Sequence, residues 1–233
     1  MKFRKINSLS IKELFISQIE EMILSGELEP GEKLPTEREI ADEMAISKTI
    51  VHEGIRELSR IGFLDVISRK GVYVADYTSA GNLDTLLAII RYQGGMPDKK
   101  MIDSLLDARL YLECPALEIL AGRRRDSDFR QLEALLGQMK EAFSQDIEAF
   151  ATSLFVFRRT IVVLSGNCIS PLIMNAFFTA SISAWINYCE LMGREQIYEN
   201  LSKTTKCLRN GDAGTAKELF RSHIERFREH ILT

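Results

Sequence analysis

Residues 10–25 read SIKELFISQIEEMILS, with Ile11, Leu14, Phe15, Ile19, Met22 and Ile23 recurring at helical spacing and Gly26 placed to stop the run. The pattern predicts an amphipathic first helix. Glu29-Pro30-Gly31 marks a turn, and Thr36 followed three residues later by Glu39 has capping-box spacing, opening a short helix that runs to about Ala45. Helical spacing resumes at Ser47, where Val51, Ile55 and Leu58 form the apolar stripe of a third helix over residues 47–61, and Gly62 ends it. Residues 63–67 and 72–75 read as two β-strands joined through Ser68-Arg69-Lys70-Gly71, a hairpin with glycine where a positive φ is needed. Three helices and a hairpin within residues 1–75 predict a winged helix-turn-helix.

Residues 76–83 (DYTSAGNL) are small and polar and predict an interdomain linker. From 84 to 233 the pattern is helical, in segments over 84–93, 99–121, 126–144, 147–164, 169–191, 194–209 and 213–231, with no sustained strand alternation and no repeat period. The fold class expected is mainly α: the winged helix (1–75), the linker (76–83), then an all-helical bundle of six or seven helices (84–233).

Composition narrows the class of protein. The 233 residues are 45% apolar and 27% charged with a formal charge of −3 and only 14 Gly and 5 Pro, which excludes a disordered or fibrous chain. Cys114, Cys168, Cys189 and Cys207 share no CxxC spacing, and residues 1–9 (MKFRKINSL) lack a signal-peptide pattern, so the cysteines read as reduced core thiols of a cytoplasmic protein. Residues 160–189 hold thirty positions without a charge, long enough to test against a membrane span. Ser165-Gly166-Asn167 and Pro171 break the stretch, and Asn175, Thr179, Ser181, Ser183 and Asn187 punctuate the rest, so a buried helix is expected and no membrane partner.

Chemistry enters with the helix-turn-helix. Its second helix must present small or polar residues at its N-terminal tip to approach base edges in the major groove. Ala41 suits the close crossing of the two helices, and Ile46, Val51 and Ile55 lock them, which leaves Ser47, Lys48, Thr49 and His52 outward. Lys48 can reach guanine or phosphate, the hydroxyls can bond either, Arg38 faces the DNA backbone, and Arg69, Lys70 and Gly71 form the wing tip. A merely solvated polar face on a three-helix scaffold is the alternative. Residues 1–75 hold 11 Lys and Arg against 13 Asp and Glu, unlike a typical basic DNA-binding domain. Residues 47–73 reverse the balance, with Lys48, Arg56, Arg60, Arg69 and Lys70 against Glu53, Glu57 and Asp65. A footprint this local calls for two copies on a symmetric double-stranded operator, hence a homodimer.

The run GELEPGEKLPTEREIADEMAISKTIVHEGIRELSRIGFLDVISRKGVYVAD resembles the winged helix of the GntR family of bacterial transcription regulators. LLDARLYLECPALEILAG, SLFVFRRTIVVLSGN and GDAGTAKELFRSHIERF resemble the helical effector-binding domain of its FadR subfamily, the FCD type. The resemblance implies a DNA-binding transcription regulator, not an enzyme, whose operator affinity follows the occupancy of a helical domain. It also exposes departures. The family's recognition helix commonly begins Gly-Val-Ser-Arg-Thr-Pro-Val-Arg; here the chain reads Ala45-Ile46-Ser47-Lys48-Thr49-Ile50-Val51-His52. Lysine cannot reproduce the bidentate arginine grip on guanine, which implies a different operator.

Many FCD domains resemble one another in holding a divalent metal with an Asp, a His four residues on, and two later His. The matching positions here are Leu154, Arg158, Leu201 and His223, so three of four ligands are absent and no metal or other cofactor is expected. Arg109 matches an arginine that lines the family's cavity, and Arg158 replaces a metal ligand on its wall. With His223 they are the candidate site for a small anionic organic effector, carboxylate or acyl- or phosphate-bearing, gripped directly. The alternative pairs Arg109 with Glu113 or Asp107 and turns Arg158 to solvent. Phe177, Phe178, Trp185 and Tyr188 either line an apolar pocket suited to an acyl chain or are plain core or dimer contacts. No nucleophile–base pair or glycine-rich phosphate loop offers a catalytic site, and a protein-interaction scaffold with a closed pocket is the remaining rival.

Overall fold

A computed structural model describes residues 9–94 and 98–232. The chain divides into two compact units, Met1–Tyr92 and Gln93–Thr233.

In the first unit, α1 (Ile11–Leu24) and α2 (Glu37–Glu43) each open on a complete capping box, Ser10 with Glu13 and Thr36 with Glu39. Helix α3 (Lys48–Arg60) starts at Ser47, whose hydroxyl accepts from the Ile50 N–H at 3.3 Å. Strands β1 (Leu64–Ile67) and β2 (Gly71–Val74) pair antiparallel with Leu64 opposite Val74 and Ile67 opposite Gly71. Residues 31–34 extend this ribbon, through Gly31 N–H to Val74 O at 2.8 Å and Leu34 N–H to Val72 O at 2.9 Å, a pairing the sequence reading of a simple turn at 29–31 did not include. Phe15, Ile19, Ile40, Val51, Leu58 and Phe63 share one core. Gly54 is where α1 and α3 meet most closely: a Cβ there would stand 2.3 Å from Phe15 Cδ1.

Residues 76–83, expected to form a linker, fall within the first compact unit. Asp76 caps a short helix α4 (Tyr77–Ala80), accepting from Thr78, and Asn82 Nδ2 donates to Arg60 O at 3.0 Å. The Thr85 hydroxyl donates to Ile61 O, and Arg60 reaches Asp84 at 2.6 Å. Helix α5 (Leu83–Tyr92), expected to open the helical bundle, buries Ala88 in the core of the first unit. These polar side chains make turns and cross-element bonds rather than a flexible tether.

The second unit comprises α6 (Lys99–Arg123), α7 (Asp126–Glu141), a 3-10 turn over Ala142–Ser144, α8 (Ile147–Leu164), α9 (Ser170–Met192), α10 (Arg194–Arg209) and α11 (Ala213–Leu232). Six α-helices therefore make the bundle among the described residues. Helix α6 packs on α8, α10 and α11, and α8 also contacts α7 and α9, around Leu117, Phe129, Phe150, Phe157, Leu201 and Phe220. Asn167 Oδ1 accepts from Ile169 N–H and Ser170 N–H, both at 2.9 Å, and so caps the start of α9. None of the described helices is long and apolar enough to cross a membrane. All four cysteines are free, yet Cys168 is exposed and Cys207 half-buried, so only Cys114 and Cys189 are core thiols. Burial raises the pKa of both, Cys189 to about 12.

Candidate nucleic-acid interface and effector cavity

The turn between α2 and α3 aims the recognition helix. Ala45 occupies it with φ 53°, a left-handed conformation that costs an alanine more than a glycine. Ala41 is buried at the crossing, Val51 and Ile55 are sealed beneath, and Ser47, Lys48, Thr49 and His52 face solvent as the sequence pattern predicts. Two are already engaged. Ser47 accepts the helix-cap bond on its hydroxyl oxygen, which leaves the O–H to donate, and His52 Nδ1 lies 2.8 Å from Glu37 Oε1 on α2. An ionised Glu37 requires Nδ1 to carry the proton, so a neutral His52 ring keeps Nε2 as an acceptor.

Arg38 is exposed, with its Nε 3.8 Å from Asp42 Oδ2. At the wing, Arg69 and Gly71 both have positive φ, 63° and 122°, so the hairpin needs that conformation at two positions rather than at glycine alone. Lys48, Arg69 and Lys70 are exposed and make no ion pair among the described residues. Arg60, counted with them in the sequence, is tied to Glu57 and Asp84 and adds nothing to this face.

In the helical unit, a cavity of about 60 Å³ opens between α6, α8, α9 and α11. Leu106, Phe155, Met174, Phe178, Trp185 and Tyr188 are on its wall, together with Arg109. The aromatic residues of α9 thus line a pocket. The Arg109 guanidinium stands 4.2 Å from the Trp185 ring centroid, a cation–π contact that holds it among apolar neighbours.

Behind that wall lies a buried charge cluster. Glu113, one turn beyond Arg109 on α6, takes a 3.0 Å bond from Arg109 Nε on one oxygen and has Arg158 Nη1 of α8 at 3.5 Å from the other. Arg158 and Glu113 are each 1% exposed. Arg158 therefore neither turns to solvent nor forms the cavity wall; it sits inside, against the Phe220 ring at 4.3 Å. Two cations share one carboxylate, and the geometry leaves Arg109 Nη2, Arg158 Nε and Nη1, and Glu113 Oε2 without hydrogen-bond partners. Burial pulls the Arg158 pKa down, with Arg109 adding to the effect and Glu113 opposing it.

His223 of α11 meets Tyr188 edge-to-face at 5.6 Å, and its Nε2 also lacks a partner. Its pKa falls to about 4, first through burial and then through Arg158, Arg109 and Arg226. It opens on a different space, a polar cleft of about 290 Å³ lined by Glu199, Asn200, Lys203, Ser222 and Arg226. The three residues expected to bind an effector are thus electrostatically linked, with Arg109 on the apolar cavity, His223 on the polar cleft, and Arg158 on neither wall. Glu113 is the member that the sequence reading left as a possible partner of Arg109 alone. Its position was readable: Glu113 shares a helical face with Arg109 and Leu117, and Arg158 shares one with Leu154 and Ile161. The four positions that the family resemblance would make metal ligands hold two buried leucines, Leu154 and Leu201, a permanent cation, Arg158, and a lone imidazole, His223, a set that does not fit a divalent ion.

Comparison with known proteins gives the chain its family. The model described as bacterial regulatory proteins, gntR family, matches residues 15–74, and that of the FCD domain matches residues 104–226. The transcriptional regulator Mce2R of Mycobacterium tuberculosis is 29% identical over 182 residues, covering 77% of this chain and 74% of its own. LutR, a transcriptional regulator of Bacillus subtilis, is 21% identical over 87% of this chain and 93% of its own. A solved structure of Lar from Listeria monocytogenes aligns with a TM-score of 0.64 at 17% identity, over 97% of this chain and 99% of that one, which shows a shared fold. These relatives are transcription regulators and not enzymes. The chain belongs to the GntR family of bacterial regulatory proteins, as a DNA-binding transcription regulator whose helical half is an FCD effector-binding domain.

Proposed function

We propose that this regulator binds a double-stranded operator as a cytoplasmic homodimer and that a small anionic effector, gripped without a metal by Arg109 from the apolar cavity, with Arg158 and His223 acting on it from the buried cluster behind that wall, changes its affinity for that operator. The observation that carries the effector reading is the pair of guanidiniums around a single carboxylate, with buried N–H groups that have no acceptor. Such groups cost about 1–3 kcal/mol each when left unmade, so an anion that supplies acceptors there gains what the empty site forgoes. The open cavity beside Arg109 favours this reading over a closed scaffold.

On the DNA side, Ser47, Lys48, Thr49 and His52 read bases or phosphates, while Arg38, Arg69, Lys70 and the Gly71 backbone position the wing and the support helix on the duplex. Pairing of two copies is supported by exposed apolar residues along the α8–α9 hairpin, Val156, Val163, Ile169 and Leu172. The test of the effector site is thermal melting of the full chain in a panel of small carboxylates, sulfonates and phosphates, with Arg158→Met beside the wild type. Stabilisation by an anion in the wild type and its loss in the variant is the expected result; equal stabilisation of both proteins excludes Arg158 from the site.

A further inference from the structure

We infer that the effector carries one negative charge on a small apolar body, and that Glu113 sets the charge limit. The inference rests on the anion-site reading above and adds to it the valence and shape of the ligand.

The charges around the site can be counted. Arg109 and Arg158 bring two positive charges, and Glu113, bonded to one and within 3.5 Å of the other, brings one negative charge. His223, the remaining ionisable neighbour with an unpartnered nitrogen, is neutral at pH 7, because burial and the two arginines disfavour its cation. Arg226, the other cation that acts on His223, is exposed and screened by water, so the sealed cluster around Arg158 and Glu113 holds a single uncompensated positive charge. A monoanion brings the sum to zero. A dianion reverses it and leaves a buried negative charge in the same low dielectric, facing the Glu113 carboxylate, with the desolvation of its second charge unreturned. Without Glu113 the same two guanidiniums would suit a dianion, as arginine pairs on phosphates do.

The cavity constrains the rest of the molecule. Among the described residues Arg109 is the charged side chain on its wall, and beside Leu106, Phe155, Met174 and Phe178 the hydrogen-bonding groups are limited to the Trp185 indole N–H and the Tyr188 hydroxyl. Its volume of about 60 Å³, at roughly 10–15 Å³ for each water-sized group, fits a body of about four to six heavy atoms. The chemical class is a short-chain acid whose head meets Arg109 and whose tail fills the aromatic pocket.

Butanesulfonate and butyl phosphate share a tail and a tetrahedral head and differ in charge, since a phosphate monoester loses its second proton near pH 6 and is a dianion at pH 8. Isothermal titration of both into the full chain at pH 8, with methanesulfonate as the tail-less control, is the test. Butanesulfonate should bind at least tenfold more tightly than either of the others, and Glu113→Gln should bring butyl phosphate level with it or ahead. Butyl phosphate binding the wild type as tightly as butanesulfonate overturns the charge limit, and methanesulfonate doing so overturns the apolar body; in both cases the anion site stands if Arg158→Met abolishes the heat. No heat from any of the three with the wild type overturns the anion-site reading and this inference with it. If Glu113→Gln does not fold, the wild-type comparison alone decides.

Discussion

Glu113 divides its carboxylate between two helices: one oxygen takes a 3.0 Å bond from Arg109 on its own α6, and the other faces Arg158 of α8 at 3.5 Å. The two partners are not equivalent. Removing Glu113 leaves the buried Arg158 and the half-buried Arg109 with no counterion, whereas removing Arg158 leaves a matched Arg109–Glu113 pair. Breaking a buried pair by removing the partner that serves both cations costs about 3–5 kcal/mol, whereas removing Arg158 leaves the shorter Arg109–Glu113 pair in place and takes away a buried charge whose desolvation was only partly repaid. Glu113→Gln should therefore lower stability by about 3–5 kcal/mol, and Arg158→Met should hold or raise it. Urea unfolding of the two variants checks the asymmetry, and a large loss in both contradicts the charge count.

His223 makes stability depend on pH in a defined window. Its folded pKa is about 4 against 6.5 for the free side chain. Above pH 6.5 both folded and unfolded states carry it neutral, so it contributes no slope. As pH falls from 6.5 towards 4 the unfolded chain takes up a proton that the folded one refuses, and stability is lost; below 4 the loss is complete. The groups that oppose its protonation are Arg158, Arg109 and Arg226. Unfolding free energy measured at pH 7.5 and pH 5 should differ less in His223→Gln than in the wild type, and an equal drop in both removes His223 from the cause.

The winged helix carries two small residues whose substitutions should act in opposite directions. Ala45 holds φ 53° in an exposed turn, so Ala45→Gly relieves backbone strain and should stabilise by about 1 kcal/mol. Gly54 lies against the buried Phe15 ring, and a Cβ 2.3 Å from that ring forces the core apart, so Gly54→Ala should cost about 1–3 kcal/mol despite alanine's higher helix propensity. Thermal denaturation of both variants reads the signs directly.

Most of this architecture was legible from periodicity. Helix α6 runs through Pro115 as its apolar spacing demanded, and the capping box at Thr36 and Glu39 marked the start of α2 to the residue. What the pattern missed depends on contacts between distant segments. Asn82, Thr85 and Ala88 look like a tether and the start of the next domain until their bonds to the end of α3 and their place in the first core are known. The candidate site was half legible. Arg109 and Arg158 stood out through the family resemblance, but nothing in one sequence says that a single glutamate serves both, or that Glu37, fifteen residues before His52, fixes that ring.

Phosphate contacts should appear as salt dependence. Lys48, Arg69 and Lys70 are exposed and free of ion pairs among the described residues, so each is available to a phosphate. Lys48→Ala should weaken operator binding and flatten the slope of log affinity against log salt by about 1 for each protomer. An unchanged slope together with relaxed sequence preference would assign Lys48 to a base edge instead.

The coupling between the two halves of the molecule is tested most directly by fluorescence anisotropy on the DNA upstream of the protein's own gene, with and without saturating butanesulfonate, chloride holding the ionic strength constant. A coupling of about 1–3 kcal/mol predicts a five- to 150-fold change in the operator Kd for the wild type and none for Arg158→Met. An unchanged wild-type Kd, under conditions where the same anion raises the melting temperature, would contradict effector control through this site.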